Sequence, residues 1–106
     1  MKELQHFIDL VKTDAFGKAH EALERQWHYH KKQNNELESK VLKGFINGAT
    51  SLELFRRGRV EPSQRVWNTF KKYEQLIPQV STFNMELILK IQKLLYEKRA
   101  IQLSRV

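Results

Sequence analysis

Apolar residues recur at intervals of three and four along most of the chain, a spacing that predicts amphipathic helices. Leu4, Phe7, Ile8 and Val11 form the first such series and predict a short opening helix. Asp14 follows, and we expect it to cap a second helix because its carboxylate can accept hydrogen bonds from free backbone N–H groups. The sequence has no run of alternating β-branched residues that would predict a strand.

Two further helices are predicted downstream of the second. The polar stretch 31–38 is expected to be a loop, because it lacks apolar periodicity. The third helix should run over about 38–57, with Gly58 in the left-handed conformation just beyond its end. Pro62 suits the first turn of a fourth helix, and Pro78 should end that helix.

Gly44 and Gly48 lie inside the predicted third helix, where a glycine costs about 1 kcal/mol relative to alanine. Two glycines one turn apart form a flat strip on the helix surface. Such a strip predicts the close approach of a neighbouring helix, which we expect to be the second one.

A fifth helix, expected from Asn84 to about residue 103, carries an unusually wide apolar face. Its apolar positions are Leu87, Ile88, Ile91, Leu94, Leu95 and Ile101. Such a face either packs centrally in the chain's own core or meets a partner helix. Because an exposed stripe of this width promotes aggregation, we favour a homodimer through residues 84–103.

These elements predict an all-α fold, a compact bundle of about five helices in one domain spanning residues 1–106. The sequence contains no cysteine, which excludes a disulfide framework, a thiolate metal site and a cysteine nucleophile. No apolar run is long enough to cross a membrane, and the first residues do not resemble a signal peptide. We therefore expect a cytoplasmic protein with no membrane partner.

The net charge of +7 lies entirely in the second half of the chain. Residues 1–53 carry eight basic and eight acidic side chains, whereas residues 54–106 carry eleven basic and four acidic ones. A basic half can bind phosphates, although basic residues at helical spacing are also typical of a solvated face. The candidate anion or nucleic-acid contacts surround the junction of the third and fourth helices: Arg56, Arg57, Arg59, Arg65, Lys71 and Lys72.

The most unusual segment places His20, Glu24 and Trp27 at positions i, i+4 and i+7 of the second helix, with Glu21 beside them. Because Leu23 shares this face, we expect His20 and Glu24 to be mostly buried and to hydrogen-bond each other. One histidine and one carboxylate are fewer ligands than a zinc site needs, and Glu24 stands where a zinc protease has its second histidine. We therefore predict neither a metal nor a cofactor, while a metal or small-ligand site at His20 and Glu24 remains an alternative.

Three motifs carry a family resemblance: Ala19-His20-Glu21 with Leu23-Glu24 and Trp27, then the segment 43–49 (KGFINGA), then Arg56-Arg57-Gly58. Over about residues 14–77 the chain resembles domain of unknown function 309 (DUF309), a family of small all-helical proteins from bacteria and plastids. The resemblance implies a helical bundle and no established activity. It also implies that Asn47 is the partner of His20 and Glu24 where the second and third helices meet.

Three functions are consistent with these patterns. The first is a non-enzymatic interaction module, which binds its own copy or another protein through the fifth helix. The second is a weak binder of nucleic acid or a phosphate ligand through the basic half. The third is an enzyme or metal protein centred on His20, Glu24 and Asn47. We rank them in this order, because no nucleophile or phosphate loop accompanies the third and no catalytic residue is predicted.

Overall fold

The computed structural model describes residues 2–105, which fold into five α-helices and one short 3₁₀ turn. No strand occurs within this range. The predicted all-α bundle is therefore confirmed. The elements are α1 (Lys2–Lys12), α2 (Phe16–Lys32), α3 (Glu36–Arg56), α4 (Val60–Glu74), the 3₁₀ turn (Ile77–Gln79) and α5 (Met85–Leu103).

Helix α3 is the centre of the bundle and packs against α2, α4 and α5. The ring of Phe45 lies 6.4 Å from that of Phe7 in α1 and 6.4 Å from that of Phe70 in α4, so aromatic packing continues through α3. The buried residues of α3 are Ser39, Val41, Leu42, Gly44, Phe45, Ile46, Gly48, Ala49, Ser51 and Leu52. Because these positions occur on most sides of the helix, α3 packs against α2, α4 and α5 at the same time.

Several helix ends differ from the predicted ones: α2 continues to Lys32 and α3 begins at Glu36, inside the expected loop 31–38, and α4 ends at Glu74, before Pro78 in the 3₁₀ turn. Gly58 has a φ of 81° after α3, and Asn84 caps α5 by accepting a hydrogen bond from the Leu87 N–H at 3.3 Å. Asp14 does not cap α2 as predicted. It has a φ of 63° because the tight turn after α1 needs a left-handed residue there, and Ala15 takes the N-cap position instead.

The glycine strip of α3 faces α4 and α5, so the expectation that it faces α2 was wrong. A Cβ atom at Gly44 would lie 3.0 Å from Cβ of Tyr73 in α4. A Cβ atom at Gly48 would lie 2.8 Å from a terminal methyl of Leu95 in α5. The two glycines therefore allow α4 and α5 to pack closely on α3.

Helix α5 buries its apolar face within the chain's own core. Ile88, Ile91, Leu94 and Leu95 are buried, and α5 packs against α1 and α3. Intramolecular packing accounts for most of the wide face that motivated a homodimer, although Ile101 remains 44% exposed. Within residues 2–105, none of the helices is both long enough and apolar enough to span a membrane.

A buried polar cluster joins α3, α4 and α5. The Ser51 hydroxyl donates to the Ser63 carbonyl at 2.8 Å, and the Ser63 hydroxyl donates to the Ser51 carbonyl at 2.7 Å. Each hydroxyl oxygen then has lone pairs that accept from Arg99 Nη1, at 3.5 Å and 2.8 Å respectively. Arg99 Nη2 donates to Gln64 Oε1 at 2.8 Å. We call this group the Ser51–Ser63–Arg99 cluster.

Arg99 is only 5% exposed, and its guanidinium pairs with no carboxylate among residues 2–105. It lies 5.5 Å from the ring centroid of Phe55 and 5.2 Å from that of Trp67. Burial lowers the pKa of Arg99. Hydroxyl and amide acceptors together with two aromatic rings thus stabilise the charge.

Ile91→Glu is expected to unfold the protein rather than to release a soluble folded monomer. A carboxylate at this fully buried position has no partner, and we expect the free energy of unfolding to fall by more than about 4 kcal/mol. Circular dichroism melts and light scattering measure the two outcomes. Lys90→Glu is the control, because Lys90 is exposed on the same helix and is not part of its apolar face. A folded, monomeric Ile91→Glu variant from a dimeric wild type would place α5 at an interface.

Ser63→Ala should lower the free energy of unfolding by about 1–2 kcal/mol, because it removes the donor to the Ser51 carbonyl and an acceptor of Arg99. Urea denaturation monitored by circular dichroism measures the change. The same substitution at exposed Ser81 is the matched control, with an expected effect below about 0.5 kcal/mol. Equal stabilities of the two variants would contradict a stabilising role of the cluster.

Candidate functional site

Helices α2 and α3 run antiparallel and present two polar sites on their shared face. His20 lies opposite Thr50 at one end, with 3.3 Å between Nδ1 and Oγ1. Trp27 lies opposite Lys43 at the other end, with 4.3 Å between the ring centroid and the ammonium nitrogen. The i, i+4, i+7 series read from the sequence therefore lies along one interhelical seam, but its members have different environments.

The first site is a His20–Glu24–Thr50 cluster. His20 Nε2 lies 2.7 Å from Glu24 Oε1. The Thr50 hydroxyl donates its hydrogen to the Ile46 carbonyl at 2.9 Å, which leaves its oxygen to accept from His20 Nδ1. A neutral imidazole can donate a hydrogen bond to only one of Thr50 and Glu24, whereas an imidazolium can donate to both.

The sequence predicted that His20 and Glu24 are hydrogen-bonded to each other and mostly buried. The hydrogen bond is present, but both side chains are partly exposed to solvent. Their side chains are 36% and 46% exposed. Ala19 and Leu23 take the core-facing positions of α2, and His20 and Glu24 each come one residue later, about 100° further around the helix. That rotation places both groups at the edge of the seam.

Asn47 is not the partner of this pair. Its Nδ2 donates to the Lys43 carbonyl at 2.8 Å, so its donor is engaged within its own helix. Thr50, one turn further along α3, takes the expected place. Glu21 is exposed to solvent. Within residues 2–105 there is also no group of three or more histidine or carboxylate side chains arranged to hold a metal ion.

The second site surrounds Trp27, whose side chain is half-buried. The ammonium groups of Lys31 and Lys43 lie 4.9 Å and 4.3 Å from the centroid of its indole ring. Among residues 2–105, neither lysine pairs with a carboxylate, and neither does Lys40 beside them. Two cations from different helices thus share one aromatic ring.

A groove of about 430 Å³ opens beside this indole and is called the Trp27 groove here. It contains two aromatic residues, three lysines and one carboxylate. Its lining residues are Trp27, Lys31, Asn34, Glu36, Ser39, Lys40, Lys43 and Tyr73. Helices α2, α3 and α4 all contribute, so the groove exists only in the folded bundle.

Part of the predicted anion-binding surface at the α3–α4 junction is occupied by intramolecular contacts. Arg56 and Arg57 both pair with Glu53. Arg56 also donates to the Asp14 carbonyl at 2.6 Å. The four other predicted contacts are exposed to solvent: Arg59, Arg65, Lys71 and Lys72. The ammonium group of Lys72 also lies near the ring of Tyr73. No contact described by the structure joins all six into one site.

Comparison with known proteins shows that a family model described as a domain of unknown function (DUF309) matches residues 4–66. The chain belongs to the DUF309 family. The match begins earlier than the predicted 14–77, so it includes α1, and it ends within α4. His20, Glu24, Trp27, Lys43 and Thr50 all lie in the DUF309 region, whereas α5 lies outside it. No curated protein and no solved structure matches the chain.

Glu24→Ala should lower the free energy of unfolding by less than about 1 kcal/mol, because both partners of the His20–Glu24 pair are half-exposed to water. Thermal and urea melts measure the effect, with Glu21→Ala on the same helix as the control. A loss of about 2 kcal/mol or more would mean that the substitution strands a buried donor, and so would restore the buried placement expected from the sequence.

Proposed function

We propose that this DUF309 chain is a non-enzymatic binding module and that its Trp27 groove takes a phosphate-bearing ligand. One observation carries the proposal: the ammonium groups of Lys31 and Lys43 converge on the Trp27 ring without an ion pair to any carboxylate of residues 2–105. Neither cation has a carboxylate counter-charge within residues 2–105, so an anion bound beside them gains Coulomb attraction without breaking an ion pair.

The aromatic residues of the groove indicate which phosphate ligand fits. Trp27 and Tyr73 offer ring surfaces beside the lysines. A nucleic-acid base can stack on an aromatic ring, and this contact is independent of sequence. Lysines beside such rings can follow a phosphate backbone, which makes binding strongly dependent on salt. We therefore propose weak, sequence-independent binding of single-stranded nucleic acid.

Binding is favoured over catalysis by the geometry of the His20–Glu24–Thr50 cluster. A hydroxyl, an imidazole and a carboxylate in series are the groups of a nucleophilic triad. However, the Thr50 hydrogen points to the Ile46 carbonyl instead of His20. Thr50 also lies in the middle of α3, where backbone N–H groups serve the helix and cannot form an oxyanion hole. These features support a structural role for the cluster.

A homodimer through residues 84–103 and an unidentified protein partner stay predictions. The residual support is a set of exposed apolar side chains on α5: Leu89, Tyr96, Ile101 and Leu103. The Tyr96 hydroxyl already donates to Glu74 at 2.7 Å. Burial and this hydrogen bond to a carboxylate raise the pKa of Tyr96 to about 12. The support for a dimer is therefore narrower than the sequence pattern indicated.

The proposal predicts that a labelled oligothymidylate binds with a Kd on the order of 10 µM at low salt and much more weakly near 150 mM salt. Lys43→Gln should reduce affinity about tenfold at low salt and lower the slope of log K against log salt by about 0.7. Fluorescence anisotropy over a salt series measures both quantities.

Two variants with the same charge change are the controls. Lys93→Gln removes an exposed lysine of α5 outside the groove, and its affinity should stay close to wild type. Arg65→Gln tests the exposed basic surface of α4 that the sequence favoured. Absence of binding at low salt, or equal losses for Lys43→Gln and Lys93→Gln, would disprove a site at the Trp27 groove. A larger loss for Arg65→Gln would move the site to α4.

A further inference from the structure

A second cavity, of about 310 Å³, lies at the opposite end of α3 from the Trp27 groove. It forms where the turn between α1 and α2 meets the last turns of α3 and α5. Its apolar wall consists of Phe16, Phe55 and Ile101. A volume near 300 Å³ is at the lower end of small-molecule sites, so the cavity suits one fused ring system or a short alkyl chain.

Cationic groups surround the apolar wall. Lys98 and Arg56 line the cavity together with Arg105 and one carboxylate, Asp14. Lys98 donates to the Asp14 carboxylate at 2.7 Å and to the Lys12 carbonyl at 3.1 Å, so its ammonium group is held in place. Arg105 forms no ion pair among residues 2–105. Asp14 pairs with Lys98 and Glu53 pairs with Arg56, so Arg105 is the cation of the lining that has no carboxylate partner within residues 2–105, and it favours an anionic ligand.

Gln102 supplies the polar feature that narrows the ligand class. Its Nε2 donates to the Leu52 carbonyl at 2.8 Å, which fixes the orientation of the amide. Its Oε1 is buried and accepts no hydrogen bond, the one such side-chain atom found in residues 2–105. A buried acceptor without a donor costs free energy in a folded protein. Gln102 lines the cavity, so a ligand donor reaches Oε1 when the side chains that cover this oxygen move aside on binding.

We propose that this cavity binds a small organic anion that has an apolar ring or chain and one N–H or O–H donor. The apolar part packs on Phe16, Phe55 and Ile101. The carboxylate or sulfonate faces the cationic groups, and the donor bonds to Gln102 Oε1. This site is independent of the Trp27 groove, since the two share no lining residue and lie about 18 Å apart along α3.

A matched pair of probes tests the proposal on the wild-type protein. Indole-3-acetate has a fused ring, a carboxylate and one N–H, and 1-benzothiophene-3-acetate has nearly the same shape without the N–H. Titrations followed by ¹H–¹⁵N spectra should show saturable shifts of the Gln102 side-chain amide and the Lys98 backbone amide. Indole-3-acetate should bind about tenfold more tightly, which is the value of one additional hydrogen bond to a buried acceptor.

Four variants test whether the preference for indole-3-acetate arises in this cavity. Gln102→Leu should remove the difference between the two probes, and Arg105→Gln should weaken both of them severalfold. Arg59→Gln makes the same charge change at an exposed position outside the cavity and should change neither. Lys43→Gln should also leave both affinities unchanged, so the result does not depend on the Trp27 groove.

Three results would overturn the proposal. One is the absence of saturable shifts with either probe at millimolar concentration. Another is equal or tighter binding of 1-benzothiophene-3-acetate to the wild type, which would remove the role of Gln102 Oε1. The third is a set of shifts that map to residues outside the cavity.

Discussion

The buried guanidinium of Arg99 is the constraint on which the C-terminal half of this DUF309 protein depends. A charge without a carboxylate partner among residues 2–105 persists in the core only where other acceptors are fixed around it. Ser51 and Ser63 provide them, because each hydroxyl gives its hydrogen to the other's carbonyl and leaves its lone pairs to Arg99. The hydrogen bonds are directional, so they fix the register of α3, α4 and α5 more narrowly than apolar packing alone.

That register determines where the last turns of α5 lie. Lys98, one residue before Arg99, bonds to the turn between α1 and α2, and Gln102, three residues after it, bonds to the Leu52 carbonyl of α3. Arg99 itself contacts α4 through Ser63. Three side chains within five residues thus join α5 to the other helices, and the cavity with the unpaired Gln102 oxygen lies among these contacts.

The sequence predicted the helices and several of their ends, because apolar spacing, Gly58, Pro62 and Asn84 act locally. It could not predict which helix faces meet, since the relative placement of the helices depends on the loops between them. Gly44 and Gly48 therefore turned out to face α4 and α5, and Thr50 replaced Asn47 beside His20. Arg99 is one of the eleven basic residues of the second half, and nothing in the local pattern distinguishes a buried arginine from an exposed one.

The same limit applies to the net charge. The excess of +7 lies in the second half of the chain, yet Arg56, Arg57, Lys98 and Arg99 in that half are engaged in intramolecular contacts. The lysines around Trp27 belong to the neutral first half and pair with no carboxylate of residues 2–105. A cation's capacity to bind a ligand depends on whether the fold already supplies its counter-charge. The candidate anion site at Trp27 rests on two such lysines that converge on one aromatic ring, a feature that the distribution of charge along the sequence does not show.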